Sequence, residues 1–185
     1  RVFATNLINM NGAGGLGRAI IVQATAPLGS MSVKNATIAN FTGADRGGAI
    51  RVDGLAGGFT VEGVTFADND AVGTGSSDNG GAVSLDSVGG PIRVSSSAFD
   101  RNEAQRGGGL AILTSPTAAV TVTATRFTLN ETPADNGGGI YVGTGAGPNN
   151  YAYVGYSTIS GNTIASSTTG SVADIQGGGA FSAKP

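Results

Sequence analysis

FADN at 66–69 and GGAV at 80–83 enclose a turn-rich stretch, and both tetrapeptides recur along the chain. FADN returns as FATN (3–6), FDRN (99–102) and FTLN (127–130). A relaxed copy is ISGN (159–162), and in the degenerate copy IANF (38–41) Phe41 replaces the asparagine. GGAV returns as GRAI (17–20), GGAI (47–50), GGGL (107–110), GGGI (137–140) and GGGA (177–180). The two kinds of motif alternate, six copies of each.

The apolar motif starts at 3, 38, 66, 99, 127 and 159, with spacings of 35, 28, 33, 28 and 32, a mean of about 31. Five residues before each copy from the second onward stands a valine: Val33, Val61, Val94, Val122 and Val154. One stretch therefore keeps its geometry while insertions fall elsewhere, as a solenoid requires. The repeating stretches are short and alternate in polarity. Ile50 and Val52, and then Val83 and Leu85, take one face; Arg51, Asp53, Ser84 and Asp86 take the other. Helical stripes are missing, and glycine interrupts nearly every window long enough to hold one.

These features predict an all-β fold, a single-stranded, right-handed parallel β-helix of about six coils of roughly 30 residues with almost no helix. At about 4.8 Å per coil the rod would be roughly 29 Å long. The solenoid is expected to fill 1–185 as one domain without capping repeats. Three inward columns follow. One is the valine column. A second is Ile20, Ile50, Val83, Leu110 and Ile140, and the third is Phe3, Ile38, Phe66, Phe99, Phe127 and Ile159. The asparagines three residues on, Asn6, Asn69, Asn102, Asn130 and Asn162, should stack as an amide ladder. The glycine pairs allow positive φ and a turn without a clashing Cβ.

At these tetrapeptides the chain resembles the polymorphic outer membrane protein family of autotransporter adhesins, whose passengers repeat GGA(I/L/V) and FxxN. The resemblance covers essentially the whole chain. It implies a secreted or surface-exposed right-handed β-helix used for adhesion or display. It carries over no catalytic motif, and no C-terminal β-barrel pattern accompanies it.

Composition bounds the function. Glycine makes up 33 of 185 residues, charged residues are only 12%, and cysteine, histidine and tryptophan are absent. The apolar share of 39% argues against simple disorder. Ten basic and twelve acidic residues, with no basic run, give no footprint for nucleic acid. No stretch approaches the length of a membrane span, and the lack of cysteine removes disulfides and thiolate metal sites. The chain opens at Arg1 with no methionine or signal segment, which suits a processed protein or a piece of a longer one. We expect an extracellular or cell-surface location. The expected partners are further copies stacked end to end, or the rest of a longer passenger, with surface glycans as a further ligand class.

Candidate sites are few. A polysaccharide-cleaving or carbohydrate-binding groove, pectate-lyase-like, would use Arg51, Asp53, Asp86 and Arg93, because such chemistry needs clustered carboxylates beside a cation. That column does not continue into the later coils. Tyr141, Tyr151, Tyr153 and Tyr156 gather late in the chain and could contact sugars or a neighbouring subunit. DND (68–70) and SSDN (76–79) carry oxygen donors for calcium, without the spacing of known calcium loops. No other cofactor is indicated. GAGGLG (12–17) lacks the lysine and helix of a phosphate loop. The threonine column Thr37, Thr65, Ala98, Arg126, Thr158 is too interrupted for an ice-binding array. Asn35, Asn40 and Asn130 open N-glycosylation sequons, the last inside the expected ladder.

Overall fold

The computed structural model describes residues 6–8, 19–23, 29–42, 46–71, 79–114, 119–133, 137–143, 151–164, 175–177 and 180–184. Among them the fold is all-β, without helix: short parallel strands wind into a solenoid and pair only with equivalents in adjacent turns. Four sheets run along its length. The valine sheet contains Met31–Lys34, Phe59–Glu62, Ile92–Ser95, Val120–Thr123, Tyr151–Gly155 and Ala180–Lys184. The phenylalanine sheet contains Asn6–Ile8, Thr37–Ala39, Thr65–Ala67, Ala98–Asp100, Arg126–Thr128 and Thr158–Ser160. A short sheet follows, of Asp70–Ala71, Glu103–Ala104, Glu131–Thr132 and Thr163–Ile164, and its four strands mark about four turns. The glycine sheet contains Ile20–Gln23, Ile50–Leu55, Val83–Val88, Leu110–Thr114, Ile140–Val142 and Ile175–Gly177.

The strands are short because each turn bends at left-handed residues. Between the valine and phenylalanine sheets these are Asn35, Gly63, Ser96, Ala124 and Tyr156; between the phenylalanine and short sheets, Asn40, Asp68, Arg101, Leu129 and Gly161. L-residues other than glycine rarely take positive φ. Here the ladder holds most of them: from Asn35 to Leu129 each corner N–H still reaches a carbonyl one turn on. Ser96 N–H donates to Thr123 O at 3.1 Å, and Arg101 N–H to Thr128 O at 3.1 Å.

The glycine pairs divide their labour. Gly80 has φ +71° and makes the corner into the glycine sheet. Gly81 is needed for space: a Cβ there would lie 2.3 Å from Gly108 O and 2.5 Å from Glu103 O. It sits where the corner crosses the short sheet, with no room for a side chain between stacked backbones.

Inside, the registers hold the expected columns. Val33, Val61, Val94, Val122 and Val154 pair in series. So do Ile20, Ile50, Val83, Leu110 and Ile140. Ile38, Phe66, Phe99, Phe127 and Ile159 make the third column. The rings of Phe66 and Phe99 stack with centroids 4.8 Å apart, and those of Phe99 and Phe127 at 4.5 Å.

Two expectations change at the ends. Leu7, not Phe3, stands opposite Ile38, and Asn6 falls beside Thr37 rather than in the amide column. Phe3 itself lies outside the described residues, as does the Asn6 side chain. The five-residue offset from a valine explains the shift, because Val2 precedes Leu7 as Val33 precedes Ile38. At the other end the column that was read as far as Ile140 continues to Ile175, and Gly177, the first residue of GGGA, pairs with Val142 inside a strand rather than opening a corner.

Candidate functional site

The asparagines after the phenylalanine sheet form one ladder. Asn69 Nδ2 donates to Asn102 Oδ1, Asn102 Nδ2 to Asn130 Oδ1 and Asn130 Nδ2 to Asn162 Oδ1, each at 2.9 Å. Each Nδ2 also donates to the preceding turn's apolar residue, at Ile38 O, Phe66 O, Phe99 O and Phe127 O. Oδ1 of Asn102, Asn130 and Asn162 each accepts a second bond, from the backbone N–H of the asparagine one turn back; at the first rung, where Phe41 replaces the asparagine, Asn69 Oδ1 accepts from Phe41 N–H at 3.2 Å. All four side chains are buried. Such satisfaction is what a buried amide needs, so the ladder is structural and takes no ligand. It also encloses Asn130, whose sequon is inaccessible, whereas Asn35 and Asn40 are exposed on left-handed corners.

Three of the four residues of the expected groove come together on the outer side of the glycine sheet. Arg51 Nε donates to Asp53 Oδ2 at 2.7 Å, and Asp53 pairs in register with Asp86. Arg46, which the sequence reading missed, closes the group: its Nη1 donates to Asp86 Oδ2 at 2.6 Å and stands 3.9 Å from Asp53 Oδ1. Two cations and two carboxylates thus neutralise one another. Arg93 is not part of it, because it lies on the valine sheet between Thr60 and Thr121. A sequence signal for Arg46 existed: an arginine directly precedes the glycine pair in both the 47–50 and 107–110 copies.

The acids of DND also part company. Asp68 is exposed and held by Arg101, whose Nε and Nη2 reach its two oxygens at 2.7 and 3.0 Å; Arg101 also pairs with Asp100. The hydrogen bond and charge of Asp68, helped by Asp100, raise the Arg101 pKa above its ordinary value. Asp70 faces another way, into a column with Glu103 and Glu131 on the short sheet. Burial, and then the charges of Asp70 and Glu131, push the Glu103 pKa up. Of SSDN only Asn79 is described, and it is buried.

The tyrosines do not make one patch. Tyr141 lies on the glycine sheet with Arg106 over its ring, Cζ 5.7 Å from the centroid. Tyr153 lies on the valine sheet, and the Tyr151 side chain is outside the described residues. Tyr156 stands on the corner at φ +54° and is 73% exposed. It walls one end of an open trough of about 450 Å³ between the valine and phenylalanine sheets. The trough floor is the column Thr65, Ala98, Arg126, Thr158, in register turn by turn. Its corner side is Gly63, Ser96 and Ala124, residues small enough to leave it open.

Comparison with family models, with curated proteins and with solved structures returns no match in any of the three. The functional reading therefore rests on the geometry above.

Proposed function

We propose that the chain is a non-catalytic structural module displayed outside the cell or on its surface, an adhesin-type β-solenoid. In this reading it continues a longer passenger or stacks with further copies end to end, and it winds as six coils of right-handed helix. The GGA and FxxN tetrapeptides support kinship with polymorphic outer membrane protein autotransporters. Three sheets of six strands support the coil number, and the general preference of parallel crossovers supports the hand.

The amide ladder carries the proposal. The residues that repeat are consumed in holding turns together, while the outward positions vary from turn to turn, as suits a rod whose surface is free to diversify. Antibody labelling of intact cells of the source organism tests it. Surface labelling lost on mild protease treatment is expected; labelling only after permeabilisation overturns the location. Electron microscopy of the purified protein decides between single short rods and filaments.

The second reading, a polysaccharide-cleaving groove, draws on the meeting of Asp53, Asp86 and Arg51. The ion pairs weigh against it: Asp86 Oδ2 and Asp53 Oδ2 are taken by arginines, and Asp53 Oδ1, which makes no hydrogen bond, is buried where a substrate proton does not reach it. Incubation with acidic polysaccharides should yield no unsaturated or reducing ends. Turnover abolished by Asp86→Asn would replace the structural reading with the enzymatic one.

A further inference from the structure

Tyr156 is placed against every ordinary preference. Its corner column otherwise holds Asn35, Gly63, Ser96 and Ala124, none larger than asparagine. A bulky residue at positive φ is strained, and a ring 73% exposed gains little from burial. Leu129 shares this exposure at positive φ, so what sets Tyr156 apart is that its ring borders the trough.

The trough supplies what such a ring would work with. Arg126 on its floor is exposed, and no carboxylate among the described residues pairs with it, although Asp68, Asp86 and Asp100 all hold arginines elsewhere. Thr65, Ser96 and Thr158 are exposed and set hydroxyls around it. At about 4.8 Å per turn the four-residue floor is roughly 14 Å long, parallel to the solenoid axis and open to solvent. A linear ligand lying along it would meet hydroxyls, then the guanidinium, and finally the tyrosine face.

We propose that this trough binds an anionic oligosaccharide. Tyr156 stacks on the face of a sugar ring, its apolar body against C–H groups and its hydroxyl in water. Arg126 takes the acid group in a two-pronged, charge-assisted contact, and the threonine and serine hydroxyls bond to the ring oxygens and hydroxyls. With a formal charge of -2 the chain does not attract polyanions in general, so selectivity comes from this one cation beside an aromatic ring. The inference deepens the display reading above by naming what the displayed face holds.

The full chain is titrated calorimetrically with an oligogalacturonate, a sulfated glycosaminoglycan fragment and a neutral cello-oligosaccharide. Binding to a carboxylated or sulfated sugar is expected, and the two charged arms show which acid is preferred. Arg126→Gln and Tyr156→Ala should each weaken it by about tenfold or more, the loss of one charged hydrogen bond or one stacked ring. Arg93→Gln, on the neighbouring face, should leave it within about twofold. Tyr156→Gly should lose binding while melting no lower than the native chain, because glycine tolerates that corner. No binding to either charged sugar, equal binding to the neutral one, or affinity indifferent to both trough variants overturns the proposal. None of those results touches the surface-labelling test.

Discussion

Asn102 shows how much one side chain can hold. Its Oδ1 accepts from Asn69 N and Nδ2, and its Nδ2 donates to Phe66 O and Asn130 Oδ1. Removing it strands several buried groups, each worth about 1–3 kcal/mol when unsatisfied. Asn102→Ala should therefore lower unfolding stability by about 3 kcal/mol or more in urea titration. Asn102→Asp should be nearly as damaging at neutral pH, because a carboxylate offers no proton to Phe66 O. Leu129 is the opposite case. It is 56% exposed and sits at φ +55° in a corner where the equivalent residue of an earlier turn is Asn40. Leu129→Asn should be neutral or stabilising by up to about 1 kcal/mol, read as a rise in melting temperature.

At the scale of elements, the stacked phenylalanines and the acid column pull in opposite directions. Phe99 is fully buried between two rings, so Phe99→Ala should cost about 3–5 kcal/mol. Glu103 stacks between Asp70 and Glu131. Its folded pKa is raised, so its ionised form destabilises the native state at neutral pH, and the native state holds the extra proton as pH falls. Glu103→Gln should stabilise the protein at pH 7, and its advantage should shrink as pH drops through the raised pKa. Paired urea titrations across the acidic range check the sign.

These elements also show what a sequence can and cannot disclose. The columns were legible wherever a valine, an apolar residue and an asparagine keep fixed offsets, because stacking forces equal spacing in every turn. Phe3 misled because a matching tetrapeptide outweighed the valine offset, which instead marks Leu7. GGGA misled because glycine inside a strand looks like glycine at a corner. The Arg46 ion pairs and the openness of the trough were illegible for a different reason. Arg46 sits in a variable loop, whose length hides which turn it will meet, whereas the trough floor was aligned correctly as the Thr65, Ala98, Arg126, Thr158 column and only its openness and the corner Tyr156 were hidden.

For the whole molecule, each turn contacts chiefly the turns beside it, so stability is close to a sum of neighbour terms. A lesion in a middle turn severs two interfaces and one in an outer turn severs fewer. Phe99→Ala, which removes a ring stacked on two others, should accordingly be more harmful than Phe127→Ala, which removes one stacked on a single ring, a comparison that needs only two melting curves. The asparagine ladder gives the wider point. Asn69, Asn102 and Asn130 each donate a side-chain N–H to the asparagine of the later turn, and Asn102, Asn130 and Asn162 each accept one from the asparagine of the earlier turn. The row is a one-way street of aligned dipoles, the same sense repeated from Asn69 to Asn162. Anything that prolongs this column must join it nose to tail, so an assembly built along this axis would have a sense of direction written into it.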